Sequence, residues 1–183
     1  MSSPRLRIVI DGNIGSGKST QLRLLSDAGY SVRCEPIDEW PLKLFYEDPE
    51  RWRFFLQMTI LKSFSEESGG VVVWERSPES SREVFWDKTS QEEDTYRYFY
   101  EKCSWEPDIH MYIRTDPTKC FERTSSRHQE GDARITLEYL EKIHERYEAY
   151  IASLDRPVTV IDGSGSPEEI HSEIIRCLRG VLG

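Results

Sequence analysis

Leu6-Arg7-Ile8-Val9-Ile10-Asp11-Gly12-Asn13-Ile14-Gly15-Ser16-Gly17-Lys18-Ser19-Thr20 reads as a short apolar run, a glycine-rich turn and the opening of a helix. Residues 12–19 satisfy G-x-x-x-x-G-K-[ST], and a strand before and a helix after are the context that this motif needs. Glycines let successive backbone N–H groups turn inward around phosphate oxygens, and the following helix adds its positive N-terminal end. Lys18 then reaches the β and γ phosphates, and Ser19 offers a hydroxyl to Mg²⁺. The expected nucleotide-binding residues are therefore Gly12, Asn13, Ile14, Gly15, Ser16, Gly17, Lys18, Ser19 and Thr20. With glycine at about 7% of average usage, a chance match in a chain of this length is roughly a one-in-a-hundred event.

Further β-branched runs follow at 31–35, 71–75, 109–114 and 158–162, too far apart for hairpins. Between them lie helical patterns at 19–27, 50–65 and 136–151. The last carries Leu137, Leu140, Ile143, Tyr147 and Ile151 at helical spacing. Strands alternating with helices pair in parallel through right-handed crossovers, so a sheet covered on both faces is expected. The reading is an α/β fold of the P-loop NTPase type: a three-layer, doubly wound domain with a five-stranded parallel sheet, spanning 1–183. Asp11, Glu35 and Glu75 each end a run, and acids at the carboxyl ends of parallel strands are expected to converge on one crevice. Residues 163–167 read as a loop capping a final helix.

The 183 residues carry a formal net charge of -9, which repels polyanions and argues against nucleic acid as a partner. No apolar run approaches the roughly 18 residues of a membrane span. The four cysteines are dispersed and form no metal-ligand spacing, and Met1 to Arg5 lack the apolar core of a leader. The expected location is cytoplasmic, with reduced thiols.

Three classes carry such a loop: regulatory GTPases, motor-like or binding ATPases, and small-molecule kinases. The guanine-reading tetrapeptide N-K-x-D is absent, and the chain is short for most ATPase cores. The second run ends Cys34-Glu35-Pro36-Ile37-Asp38-Glu39-Trp40, and the third ends Trp74-Glu75-Arg76-Ser77, followed by Ser80, Ser81, Arg82 and Phe85. With Tyr46 to Pro49, Trp52, Gln57, Tyr112 to Thr115 and Thr136 to Glu145, these segments resemble the deoxynucleoside kinase family. That family is marked by E-P-x-x-x-W and by E-R-S or D-R-S. The likeness runs from Ile8 to about Ile151 and is nearest to the multisubstrate insect and mitochondrial thymidine-phosphorylating branches, compact viral relatives included.

The resemblance implies ATP-dependent phosphorylation of a deoxynucleoside 5′-hydroxyl. Glu35 is the expected general base, a carboxylate that orients the hydroxyl and takes its proton. Its place at the tip of a strand beside the phosphate loop agrees. Glu75 stands where a magnesium-anchoring acid is expected, opposite Ser19, and Arg76 is implied to fix Glu35 and the 5′ end of the acceptor. Gln57 is implied to pair with the base edge and Phe85 to stack on its face, with Trp40, Tyr46, Ile60, Phe64 and Ser81 as further substrate contacts. A glutamine inside an apolar helix also wants a partner, because an unpaired buried amide is costly.

Residues 124–135 are polar and glycine-containing, as suits a lid over the phosphates, with Arg123 and Arg127 as its cations and Asp132 toward the sugar. Gln129 stands where relatives carry a second lid arginine, and Asp132 where they carry glutamate. Relatives dedicated to deoxycytidine place an arginine and an aspartate at positions that here are Phe64 and Ser81, so thymidine, with deoxycytidine beside it, is the expected acceptor. Amphipathic helices near 51–64 and 96–103 carry surplus apolar surface and suggest a homodimer. A thymidylate kinase is the nearest rival, but its first-acid motif reads R-E-P-G whereas Cys34 precedes Glu35 here. A non-catalytic nucleotide-binding module is expected to lack Lys18, Glu35 or Glu75, and all are present.

Overall fold

The computed structural model describes residues 5–65, 69–127 and 134–182. Strands β1 (Leu6–Gly12), β2 (Val32–Arg33), β3 (Val71–Glu75), β4 (Ile109–Arg114) and β5 (Val158–Asp162) form one parallel sheet in the order β2-β3-β1-β4-β5. The expected five-stranded α/β architecture is present.

Side chains alternate across a strand, and that alternation sorts the core into two layers. Ile8 and Ile10 of β1 and Met111 and Ile113 of β4 face helices α1 (Lys18–Asp27) and α8 (Pro167–Leu182), packing on Leu22, Leu25, Ile170, Ile174 and Leu178. Val9, Val72 and Trp74 face the other way, onto Leu56, Ile60 and Phe64 of α3 (Pro49–Phe64). On that same side Tyr112 packs on Ile143, Tyr147 and Tyr150 of α7 (Leu137–Ser153). Short helices α2 (Leu42–Glu47) and α4 (Pro78–Ser80) follow β2 and β3, while α5 (Glu93–Cys103) packs on α3 and α6 (Pro117–Arg127) on α7.

Two expectations about strands need correction. The second strand is shorter than 31–35: only Val32 and Arg33 pair, with Val73 and Trp74, and the chain leaves the ladder before Glu35. It also does not adjoin the strand of the phosphate loop, because β3 lies between. Glu35 therefore leaves the sheet edge across the tip of β3. No helix among the described residues is long and apolar enough to cross a membrane.

Candidate active site

Beyond the carboxyl ends of β1, β2 and β3 opens a cleft of about 740 Å³. Its floor is the phosphate loop. Gly15 has φ +78°, and a Cβ there would lie 2.5 Å from the Cys120 carbonyl oxygen, so only glycine fits. Gly17 has φ +100° and leads into α1 without a side-chain cap, leaving the first N–H groups of that helix for an anion. Lys18 is buried, and its Nζ donates to the Asn13 carbonyl at 2.8 Å. Burial, with the Arg76 guanidinium nearby, lowers its pKa to about 8. Ile14 to Thr20 line the cleft, while Gly12 and Asn13 lie behind it; the Asn13 amide donates to the Leu140 carbonyl and ties the loop to α7.

Glu35, two residues past β2, and Glu75 at the end of β3 meet above this floor. Ser19 Oγ donates to Glu75 Oε1 at 2.9 Å, and the Glu35 backbone N–H lies 3.4 Å from Glu75 Oε2. Arg76 follows Glu75 with φ 61°, the one positive φ of a non-glycine residue among the described residues. This left-handed turn is sterically unfavourable for an arginine and swings its side chain toward Glu35. Nη1 of Arg76 lies 2.5 Å from each Glu35 oxygen. The Arg76 guanidinium also covers the Phe85 ring, 4.8 Å from its centroid. Burial pushes the Glu35 carboxyl above its ordinary pKa, against the opposing pull of Arg76. The result is a carboxylate more basic than one in water but fixed in direction.

Ser19 and Glu75 fit a magnesium site. Mg²⁺ takes hard oxygen ligands, usually one or two from the protein with the rest from phosphates and water. A hydroxyl and a carboxylate that already share a hydrogen bond beside Lys18 offer such a pair.

Away from the loop the cleft is walled by Trp40, Tyr46, Gln57, Ile60, Ser81 and Phe85. A capping box at Ser77 starts α4, and the chain runs on as a π-helical turn over Ser81–Phe85; this wide turn carries both Ser81 and Phe85 on the cleft wall. Gln57 is 6% exposed and its Oε1 has no hydrogen-bond partner. Arg123 lines the phosphate end and donates to the carbonyls of Ser16 and Gly163, and Arg127 lies beside it. Asp132, Gln129 and the rest of residues 128–133 lie outside the described residues.

Two expectations fail here. Phe64 does not line this cleft; it packs behind it against Trp74 and Trp105 and faces a separate, smaller cavity. Asp11 does not join the other two acids. Alternation along β1 sends it to the α7 side with Val9, where it is fully buried beside His110.

Other cleft residues were missed. Tyr139, Lys142 and Arg146, spaced three and four apart on α7, line the cleft beside the apolar stripe of that helix, whose Ile143 also reaches the cleft. Arg53, one turn before Gln57, and Asp87, two residues past Phe85, pair at 3.2 Å on its wall.

Comparison with known proteins agrees with this geometry. A family model described as deoxynucleoside kinase matches residues 8–179. Thymidine kinase 2, mitochondrial, of Homo sapiens is 31% identical, over 89% of this chain and 72% of its own length. The thymidine kinase of Ictalurid herpesvirus 1 (strain Auburn) is 29% identical, over 92% of this chain and 84% of its own. Among solved structures, a deoxyadenosine kinase from M. mycoides with products dCMP and a flexible dCDP bound superposes with a TM-score of 0.83 at 25% identity, covering 96% of this chain and 100% of that one. The chain belongs to the deoxynucleoside kinase family and is a kinase that phosphorylates nucleosides with ATP.

Proposed function

We propose that this kinase transfers the γ-phosphoryl group of ATP to the 5′-hydroxyl of thymidine and of deoxycytidine, with Glu35 as the general base. The acceptor oxygen bonds to the γ-phosphorus as the bond to the ADP oxygen breaks, and the hydroxyl proton passes to Glu35. Such a transfer needs mainly alignment and charge neutralisation. The observation that carries the reading is the Glu35 carboxylate, held at 2.5 Å by Arg76 in the same cleft that Lys18 lines.

Mg²⁺ held by Ser19 and Glu75 would neutralise phosphate charge. Lys18 steadies the β and γ phosphates, and Arg123 and Arg127 close on them from α6 together with the lid at about 124–135. The partnerless Gln57 Oε1 supports pairing with a base edge, and Phe85, Trp40 and Ile60 supply the apolar faces that a base needs. Tyr46, whose backbone carbonyl accepts a hydrogen bond from Arg134, is proposed to meet the sugar; Asp132, proposed for the same role, lies outside the described residues. Ser81 in place of a charged group favours thymidine. The exposed Phe55 on α3 and Tyr98 and Phe99 on α5 support a homodimer through these helices, and the free cysteines suit the cytoplasm.

An ADP-release assay offering thymidine, deoxycytidine, deoxyadenosine, deoxyguanosine and dTMP separately tests the assignment. Turnover is expected with thymidine and deoxycytidine. Turnover confined to purine nucleosides, or to dTMP, contradicts it.

A further inference from the structure

Behind Arg76 lies a chain of buried polar groups, Tyr147, Asp11 and His110, to which the proposed reaction gives no role. Arg76 Nε donates to Tyr147 Oη at 3.0 Å. Tyr147 Oη lies 3.4 Å from Asp11 Oδ1, and the other Asp11 oxygen is 2.7 Å from His110 Nε2. Asp11 and Tyr147 are 0% exposed and His110 is 2% exposed. Tyr147 does not line the cleft.

The direction of this chain follows from its chemistry. A guanidinium has donors only, so the tyrosine oxygen must accept from Arg76, and its own hydrogen is left for Asp11. Burial holds the Tyr147 hydroxyl well above its ordinary pKa, which keeps that hydrogen in place. The ring is fixed as well. It stacks on Tyr112, with centroids 5.6 Å apart and planes at 22°, and meets Phe85 edge-on at 6.2 Å.

Arg76 needs such support. Its backbone is in the left-handed region, and it grips both Glu35 oxygens through one nitrogen. A grip through a single nitrogen fixes a distance but not the orientation of the guanidinium plane, which lies over the Phe85 ring, 4.8 Å from its centroid, with no hydrogen bond to that ring. The directional bond from Nε to Tyr147 adds a fixed point on the far edge of that plane. A carboxylate displaced by about 1 Å from its hydroxyl loses most of the benefit of alignment.

We propose that Tyr147, oriented by Asp11, is a positioning residue that sets the plane of the Arg76 guanidinium and so the direction of the Glu35 carboxylate. This inference rests on the reading of Glu35 as the base. The test is Tyr147→Phe, which keeps the ring and removes the hydroxyl, with thymidine as acceptor. The kcat per folded protein is expected to fall about tenfold or more, while the affinity for ADP stays within about threefold. In an Arg76→Lys background, where the Nε donor is gone, Tyr147→Phe is expected to cost nothing further.

A purely structural tyrosine gives a different pattern: a lower Tm with kcat within about threefold of the parent. That result overturns the proposal, as does an equal loss in the Arg76→Lys background. Should Tyr147→Phe not fold, Asp11→Ala leaves Tyr147 in place and removes the acceptor for its hydrogen. Its kcat is expected to fall about threefold or more, and an unchanged kcat contradicts the proposal. Glu35→Gln separates the two readings. If that variant keeps near-normal turnover, the base assignment fails and this inference with it; if it is inactive while Tyr147→Phe is normal, only the role of Tyr147 fails.

Discussion

Arg76 and Glu35 form a buried ion pair in which one guanidinium nitrogen stands 2.5 Å from both carboxylate oxygens, with side chains only 9% and 8% exposed. Taking both charges out of water is costly, and a pair of this kind is weak evidence of stability. Its value is directional. Glu35 comes from the segment just past the edge strand β2 and Arg76 from a strained turn one strand further in, and their contact holds the carboxylate in the cleft that the phosphate loop floors.

Breaking the pair from the arginine side is expected to damage catalysis more than binding. Arg76→Ala leaves Glu35 buried without a partner, which raises its pKa further and frees its direction. Turnover is expected to fall about a hundredfold or more, with ADP affinity changed little. Steady-state kinetics beside ADP titration check this, and a loss confined to ADP affinity contradicts it.

Lys18, with a pKa lowered to about 8, should couple nucleotide binding to protons. Phosphate oxygens favour the ammonium form, so binding raises this pKa and takes up a proton; affinity is greatest below pH 8 and falls as pH rises through it. Calorimetry of ADP without Mg²⁺, in buffers of different ionisation enthalpy, is expected to show net proton uptake by this group at pH 8.5 and almost none from it at pH 6.5. Equal uptake at both pH values contradicts the assignment.

Gly15→Ala is expected to disable the loop without disturbing the sheet. Its φ of +78° disfavours any side chain, and the added Cβ would press on the Cys120 carbonyl at 2.5 Å. A destabilisation of about 1–3 kcal/mol is expected, with ADP affinity lost. Thermal unfolding with and without ADP separates the two effects; a parent-like Tm shift on adding ADP contradicts this account.

Phe55, 54% exposed on α3, and Tyr98, 57% exposed on α5, are the side chains on which the homodimer proposal turns. Phe55→Arg combined with Tyr98→Arg is expected to convert a dimer to a monomer, read by light scattering. A parent chain that is monomeric at every concentration contradicts the proposal.

The sheet was legible in its buried strands β3 and β4 and in the more exposed edge strand β5, which all lie at the positions that their apolar or β-branched runs mark, and the glycine pattern located the loop. The failures have physical causes. Asp11 ends its strand as Glu75 does, yet the period of two along β1 turns it to the α7 side, where β4 supplies His110; that pairing depends on which strands are neighbours. Phe64 lies one turn beyond Ile60 on α3, but the tryptophans Trp74 and Trp105 draw its ring inward, and a helical stripe alone does not tell core from cleft. The cleft-facing row of Tyr139, Lys142 and Arg146 was present at helical spacing and was hidden by the stronger apolar stripe beside it.

Everything in the proposed chemistry converges on the carboxylate at position 35, and Glu35→Gln examines it with the least disturbance, since the amide keeps the size of the side chain and one acceptor for Arg76. With thymidine and saturating MgATP, the account expects kcat to drop about a hundredfold or more while ADP binding stays within about twofold of the parent. Near-parental turnover in a folded, ADP-binding Glu35→Gln protein would contradict it.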